Sequence, residues 1–492
     1  MNSGPHAPRP SAAGQASRLR PVNWRHISRM FAVTCALCSA CAGLPPKPER
    51  ASSMQAAPLS EPPGGGGPWP AAQWWKQYRD PTLDHLVELA LESSPTLASA
   101  HARFDTARQS VRIASAENGA HLQASGDFSR QRLSDNGLFS PSLLGFNWYN
   151  QADLGLQASY TFDWWGKQRQ TVEAAMDAAH ASQAERSAAA LMLTSSIADS
   201  YFGWQTDEAR IALARDRERT LERERSISEA RIHAEIDPKD DLRRADAAVA
   251  EVREQLDALE GSAKLRVIEL AALAGRAPAE LPELHVRPLP SVALALPDGV
   301  RIDLLSRRPD IVASRWRVEA AEHSQESARA EFFPDISVNA LIGFQSMDVG
   351  TLLSYSSRVP GASAAIHLPI FDAGRLKARY GAAQAAVASA VASYRDAVVS
   401  AARDVATQAS NLAQIEAQST ERRKSLDAAT ALATSAAARV RQGVVDPRVE
   451  LRAADTLIQE RDAMLQLDAA AVSADIGLKR ALGGGYEMKA TP

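Results

Sequence analysis

Side chains able to do covalent or metal chemistry are few in this chain and badly spaced for it. All three cysteines of the 492 residues fall at Cys35, Cys38 and Cys41, so the body can hold neither a disulfide framework nor a thiolate metal site. The ten histidines are scattered singly, and no HExxH, GxSxG or Walker A pattern occurs. Carboxylates are plentiful, but they have basic neighbours at helical spacing, as in Glu222 and Arg225, which marks a solvated helix face. An enzyme is therefore not expected, and no cofactor or metal is implied. Two charged groups stand apart because each surrounds a turn marked by Asp-Pro. The first is Asp237, Asp240, Asp241 and Arg243; the second is Asp446, Arg448, Glu450 and Arg452. One reading is solvated helix-start charge, since Asp near a helix N-terminus is stabilised by the dipole.

The elements that carry these groups follow from composition and periodicity. Hydrophobic residues make up 45% of the chain, yet mean hydropathy is −0.25 and no apolar stretch reaches 18 residues. A bundle of membrane-spanning helices is thereby excluded. With 55 Lys+Arg against 58 Asp+Glu, the net charge of −3 offers no footprint for nucleic acid. Aromatics are only 6%, a composition suited to long helices rather than one large core.

The body repeats itself. A shift of 214 pairs Pro95 with Pro309, Arg103 with Arg317 and Ala116-Glu117 with Ala330-Glu331. A shift of 209 pairs Asp237-Pro238 with Asp446-Pro447, Ala245-Asp246 with Ala454-Asp455 and Gly275 with Gly484. Matched Asp-Pro and Gly breakers make chance alignment of alanine-rich helices a poor explanation. Each half opens with a helix, about 82 to 118 and 301 to 331, followed by two segments of strict apolar-polar alternation. In the first half these carry Leu122 to Phe128 and Ala152 to Phe162; in the second, Ile336 to Phe344 and Ala362 to Ile370. Each has about ten residues, the length at which a tilted strand crosses a bilayer. Proline-free helical patterns at roughly 167 to 232 and 375 to 441 come next, each about 100 Å long if unbroken. Val387, Val391, Tyr394, Val398, Ala401, Val405, Leu412 and Ile415 form a coiled-coil seam in the second, interrupted at Gln408. Turns near 233 to 238 and 442 to 447 lead into return helices 239 to 273 and 448 to 482.

The N-terminal segment is basic, with Arg18, Arg20, Arg25 and Arg29, and runs into a short apolar stretch from Met30 to Ala40. That pattern is a signal peptide, too short to span as an anchor. Leu37-Cys38-Ser39-Ala40-Cys41 resembles the lipobox of bacterial lipoproteins, which implies cleavage after residue 40 and lipidation, including palmitate, at Cys41. Ala42 follows where lipoproteins kept in the inner membrane typically carry Asp, so the resemblance points to the outer membrane. Residues 41–70, with Gly64 to Gly67 in a row, are expected to be a tether.

Four amphipathic strands cannot close a barrel, and an open edge in lipid leaves backbone groups unpaired. The chain must therefore oligomerise if its strands are in a membrane. Two copies give eight strands and a filled interior; three give twelve, enough for a lumen. The other reading is a lipid-anchored periplasmic coiled-coil scaffold or adaptor without a pore, which four bilayer-length alternating runs disfavour.

Residues 74–87, Trp-Trp-Lys-Gln-Tyr-Arg-Asp-Pro-Thr-Leu-Asp-His-Leu-Val, resemble the entry motif of the outer-membrane efflux lipoproteins, the OprM/NodT branch of the TolC-like channels. Arg307-Arg308-Pro309-Asp310-Ile311, Phe332-Phe333-Pro334, Phe371-Asp372-Ala373-Gly374-Arg375 and Ala481-Leu482-Gly483-Gly484-Gly485 are similar to its other signatures, in the same order. The resemblance implies an α+β membrane protein, internally duplicated. Each chain would add four transmembrane strands to a 12-stranded barrel of a homotrimer and build part of a long α-helical coiled-coil barrel in the periplasm. The implied role is the passive exit duct of a tripartite efflux system, conducting drugs or toxic compounds, as in antibiotic resistance. Its partners would be itself, a periplasmic adaptor, an inner-membrane efflux pump and outer-membrane lipid. The expected organisation is a signal peptide at 1–40, the tether at 41–70 and a first repeat at 71–275. An equatorial linker at 276–299, a second repeat at 300–484 and a tail at 485–492 complete it. The resemblance also implies a gate of inter-subunit salt bridges at the turns. Val449 and Arg452 stand where relatives often carry aspartates. Tyr160, Phe162, Trp164 and Trp165 end the second strand, where they form an interfacial aromatic belt or pack on equatorial helices.

Overall fold

A computed structural model describes residues 66–136, 141–292, 296–297 and 300–487; the leader, Cys41 and most of the tether lie outside them. In chain order the first half comprises α1 (Pro81–Ser93), α2 (Pro95–Glu117), strands β1 (His121–Arg132) and β2 (Trp148–Phe162), then α3 (Lys167–His233) and α4 (Lys239–Ala274). The second half repeats the order with α5 (Val300–Arg307), α6 (Pro309–Ala330), β3 (Asp335–Ser346), β4 (Arg358–His367), α7 (Arg375–Arg441) and α8 (Pro447–Ala481).

The long helices α3 and α7 have 67 residues each, about 100 Å at 1.5 Å per residue. Both start the same way. Asp163 accepts backbone hydrogen bonds from Gln168 at 3.0 Å and Arg169 at 2.8 Å. Asp372, its counterpart, accepts from Gly374 at 3.1 Å and Leu376 at 2.8 Å. A carboxylate there satisfies orphan N–H groups at the positive end of the helix. Arg231 and His233, and Arg439 and Arg441, occupy the last turns, where cations face the carbonyl end.

Where the sequence suggests single helices at 82–118 and 301–331, the chain makes two each time. The breaks fall at Ser94 and Arg308, both extended with ψ of 125° and 119° and both followed by proline. A proline ring drives the preceding residue out of the helical region. At each break a lane of helix returning from the hairpin tip is continued end to end toward the sheet. Ser93 Oγ, at the end of α1, donates to the Ala274 carbonyl at 2.7 Å, and Gly275 abuts Pro95, so α2 starts where α4 ends. Arg308 donates to the Ala481 carbonyl at 3.3 Å, joining α6 to the end of α8. The result is a wall four lanes wide, in the order α2/α4, α3, α6/α8, α7.

The α7 seam serves two partners in succession. Tyr394, Val398 and Ala401 pack on Ile311 and Val318 of α6. Farther down, Val405, Ala409 and Leu412 pack on Ala474 and Leu478 of α8. Gln408, the polar break, lies over Gly477, where a Cβ would come within 2.8 Å of its amide. At mid-height a belt surrounds α3. Trp74, Trp75 and the α1 residues Leu83, Leu86 and Val87 bury against Ile197 and Tyr201. Asp80 caps α1 by accepting from Thr82 N at 2.9 Å, and its other oxygen takes the Tyr201 hydroxyl at 2.8 Å. The proline-rich linker joins this belt through Gln205, which accepts from Arg287 N at 2.7 Å and donates to the His285 carbonyl at 2.9 Å.

Arg308 is the ion-pair hub of the junction between α6 and α8, with Asp310 at 2.7 Å and Asp404 of α7 at 3.3 Å. Its guanidinium is largely buried, whereas both carboxylates stay partly in water. Arg308→Ala is expected to cost about 2 kcal/mol, below the cost of breaking a fully buried pair, in a urea melt, with Arg308→Lys intermediate.

Asp177 of α3 is buried against α6. Its Oδ2 is 3.5 Å from His323 Nε2, an ion-pair distance, and makes no hydrogen bond. Burial pushes its carboxyl up to about 6, against the opposing pull of His323 and with help from Glu319 and Glu173. A raised carboxyl favours folding at low pH, and that contribution is lost as pH rises from about 4 to about 6. Asp177→Asn should thus raise the thermal midpoint at pH 7.5, yet give no gain over the parent at pH 4.5.

The four strands form one antiparallel sheet in the order β1-β2-β3-β4. Register aligns like with like: Leu122, Ala158, Ala340 and Ala362 form one row, and Ala124, Leu156, Ile342 and Pro360 the next. The other face is mainly polar, with Gln123 donating to Gln157 at 3.2 Å and the Tyr149 hydroxyl to Gln131 at 3.0 Å. Strand β4 stops at His367, so Leu368 and Ile370, apolar positions of the alternation, lie in the elbow beyond it. Pro369 has no N–H for the ladder. Within one chain the outer edges of β1 and β4 are unpaired.

Candidate functional site

Far from the sheet, the two helical hairpins end side by side, and their turns are tied together. Arg231, in the last turn of α3, donates to Asp237 Oδ2 at 2.8 Å and lies 3.4 Å from Asp446. Arg448, in the first turn of α8, reaches the same two carboxylates, at 2.8 Å and 3.0 Å. Two guanidiniums and two carboxylates thus close a ring across the repeats. The Asp237 carboxyl is held below the usual carboxylate range, first by the hydrogen bond from Arg231. That of Asp446, which also accepts from Arg448 N at 2.8 Å as the α8 cap, is lowered first by the Arg448 side chain.

The tip is the last rung of a ladder. Arg210, Arg217, Glu224 and Arg231 stand seven residues apart on α3. They face Asp462 at 2.7 Å, Asp455 at 2.8 Å, Arg452 at 2.8 Å and Asp446 at 3.4 Å on α8 and its cap. A seven-residue step keeps one face of a helix on its neighbour, so every rung meets the same partner.

The structure therefore gathers Asp237, Asp446 and Arg448 into one cluster and places Arg452 one rung away, on Glu224. Asp240 pairs locally with Arg243 at 3.1 Å, and Asp241 with Arg244, both within the first turn of α4. Glu450 has no ion-pair partner among the described residues. Sequence reasoning missed Arg231 and Glu224, although the seven-residue charge series would have found both. No group of three or more metal-ligating side chains occurs among the described residues.

At the other end of α3, Tyr160 and Phe162 meet edge to face with centroids 5.0 Å apart, and Trp164 continues the row 6.0 Å from Phe162. Trp165 turns to the second repeat, stacked 4.7 Å from Phe333 with its indole N–H on the Pro334 carbonyl at 2.9 Å.

A duplicated wall of long helices joined to a sheet with one apolar face and two open edges defines a subunit of an outer-membrane channel. The chain belongs to the outer membrane efflux protein family, whose sequence model matches residues 86–276 and 301–484, one span in each repeat. It is 31% identical over 426 residues to the multidrug resistance outer membrane protein MdtP of Escherichia coli (strain K12), covering 85% of this chain and 87% of MdtP. Among solved structures, it resembles the outer membrane protein VceC of Vibrio cholerae at 30% identity and a TM-score of 0.76, over 85% of this chain and all of VceC. The MtrE outer membrane channel of Neisseria gonorrhoeae, solved in its open state, matches at 26% identity and a TM-score of 0.74, over 90% and 98% of the two chains. The protein is thus an outer-membrane efflux channel component.

Proposed function

We propose that three copies close into one tube, a 12-stranded barrel in the outer membrane continued by a helical barrel in the periplasm, and that the tube passively conducts small molecules outward. The observation that carries this reading is the sheet: its apolar rows run unbroken across four strands, and both edges lack partners. An open edge is untenable in lipid, and only further copies supply the missing ladders. The turns around Asp237 and Asp446 act as the periplasmic gate, and a periplasmic adaptor and an inner-membrane pump deliver the cargo there. The name of MdtP, a multidrug resistance protein, supports drugs and toxic compounds as that cargo. Cys41 is lipidated and tethers the N-terminus to the outer membrane. Labelled palmitate should enter the chain and disappear with Cys41→Ser alone, not with Cys35→Ser or Cys38→Ser. Purified protein should give discrete conductance steps in planar bilayers; a lipid-anchored rod giving none would favour a scaffold instead.

A further inference from the structure

The apolar face of the sheet carries charge at only one end. Counting by the two-residue alternation, its charged members are Arg130 and Arg132 of β1 and Arg358 of β4. All three lie at the loop ends of their strands, away from the helices. The acids of the strands, Asp127, Asp153 and Asp335, are on the opposite face. Alternation is verified by contacts: Arg130 lies 5.7 Å over the ring of Trp148 on one face, while Tyr149 bonds Gln131 on the other.

Arg358 lies 3.9 Å over the Tyr355 ring. Among the described residues neither Arg130 nor Arg358 has a carboxylate partner, and Arg132 meets only Asp135 at 3.5 Å. Stacking on an aromatic face fixes a guanidinium plane and leaves its N–H edges free. Those edges match phosphate oxygens two at a time. An outward-facing charge is costly at the bilayer midplane and tolerated near an interface, and these three stand at the loop ends of their strands, where a spanning sheet leaves the hydrocarbon. They also belong to the two unpaired edge strands. When copies join edge to edge, the loop end of one β4 comes beside the loop end of the next β1, so Arg358 joins Arg130 and Arg132 at the seam. Like charges facing across a strand pair repel. An anion between them removes that repulsion.

We propose that Arg130, Arg132 and Arg358 form, at each seam between copies, a site for the phosphate groups of the lipid that fills the outer leaflet. The site rests on the barrel reading and on loops that face the exterior. It ties the seam to the membrane it sits in, with acyl chains along the apolar rows and phosphates on the arginines.

The test compares the full-length protein with Arg130→Gln/Arg132→Gln/Arg358→Gln, both purified in detergent and titrated with fluorescent lipopolysaccharide. Affinity should fall at least about tenfold in the variant, the loss expected for several charge-assisted hydrogen bonds. Inorganic phosphate and phosphatidylglycerol vesicles should not compete. Equal affinity of the two proteins, or equal competition by either probe, would overturn the site. Should the Gln variant not assemble, the corresponding triple Lys variant decides: it keeps the charge, loses the fork, and must bind lipopolysaccharide more weakly than the parent. Conductance and sedimentation of the parent are read in the same samples. Their failure would count against the barrel itself; lipid binding unchanged beside normal conductance would count only against the arginines.

Discussion

Channels carrying Asp237→Asn and Asp446→Asn together are expected to open about tenfold more often than the parent in planar bilayers, within the range of coupling between elements of a two-state switch. The double change removes both negative charges of the tip ring and leaves Arg231 and Arg448 facing one another unneutralised. Arg448→Ala alone should do less, because Arg231 still reaches both carboxylates. Asp240→Asn should do nothing, since its partner Arg243 lies in its own helix turn. Acidity should have little effect until it is severe. Both carboxyls are lowered by hydrogen-bonded guanidiniums, so their stabilisation is present above the ordinary carboxylate pKa and is lost only as pH falls below about 4. Open probability should be flat from about pH 5 to pH 8. Unchanged gating in the double variant would remove the ring from the gate.

The second large effect lies at the junction of α4 and α2. Gly275 has φ 66°, and a Cβ there would meet Pro95 Cδ at 2.6 Å and the Ser93 carbonyl oxygen at 2.7 Å. Neither is the free end of a flexible side chain. Gly275→Ala combines the cost of a left-handed residue with a steric clash, about 3 kcal/mol or more in all. Gly443, in the tip turn, has φ 70° and nothing within 4 Å of the same position. Gly443→Ala therefore isolates the conformational cost, about 1 kcal/mol. Urea melts should separate the two by about 2 kcal/mol; equal losses would show that the helix ends do not press on each other.

Much of this architecture is legible in the sequence because it depends on periodicity. Alternation at Leu122 to Phe128 and Ala152 to Phe162 locates the strands, and the seam through Tyr394, Val398 and Val405 locates α7, ending where the structure ends it. What escapes is set by contacts between distant residues. Ser94 and Arg308 look like interior helix positions until the prolines after them and the abutting carbonyls of Ala274 and Ala481 are considered together. At the tip, Asp237, Asp446 and Arg448 are visible as charges near turns, but their grouping depends on two hairpins ending at the same height. Arg231 sits one helix turn earlier than the eye looks, and Glu224 reads as one more solvated acid until its seven-residue spacing from Arg217 and Arg231 is noticed. The phosphate-facing arginines are legible only once the register assigns each to a face.

The proposed trimer makes one chain a third of a tube. Negative-stain images of detergent-extracted protein test it most directly. Threefold end views are expected, with side views of a tube whose helical part is about 100 Å long, the length of the 67-residue helices. Single rods without rotational symmetry, in protein that remains folded, would contradict it.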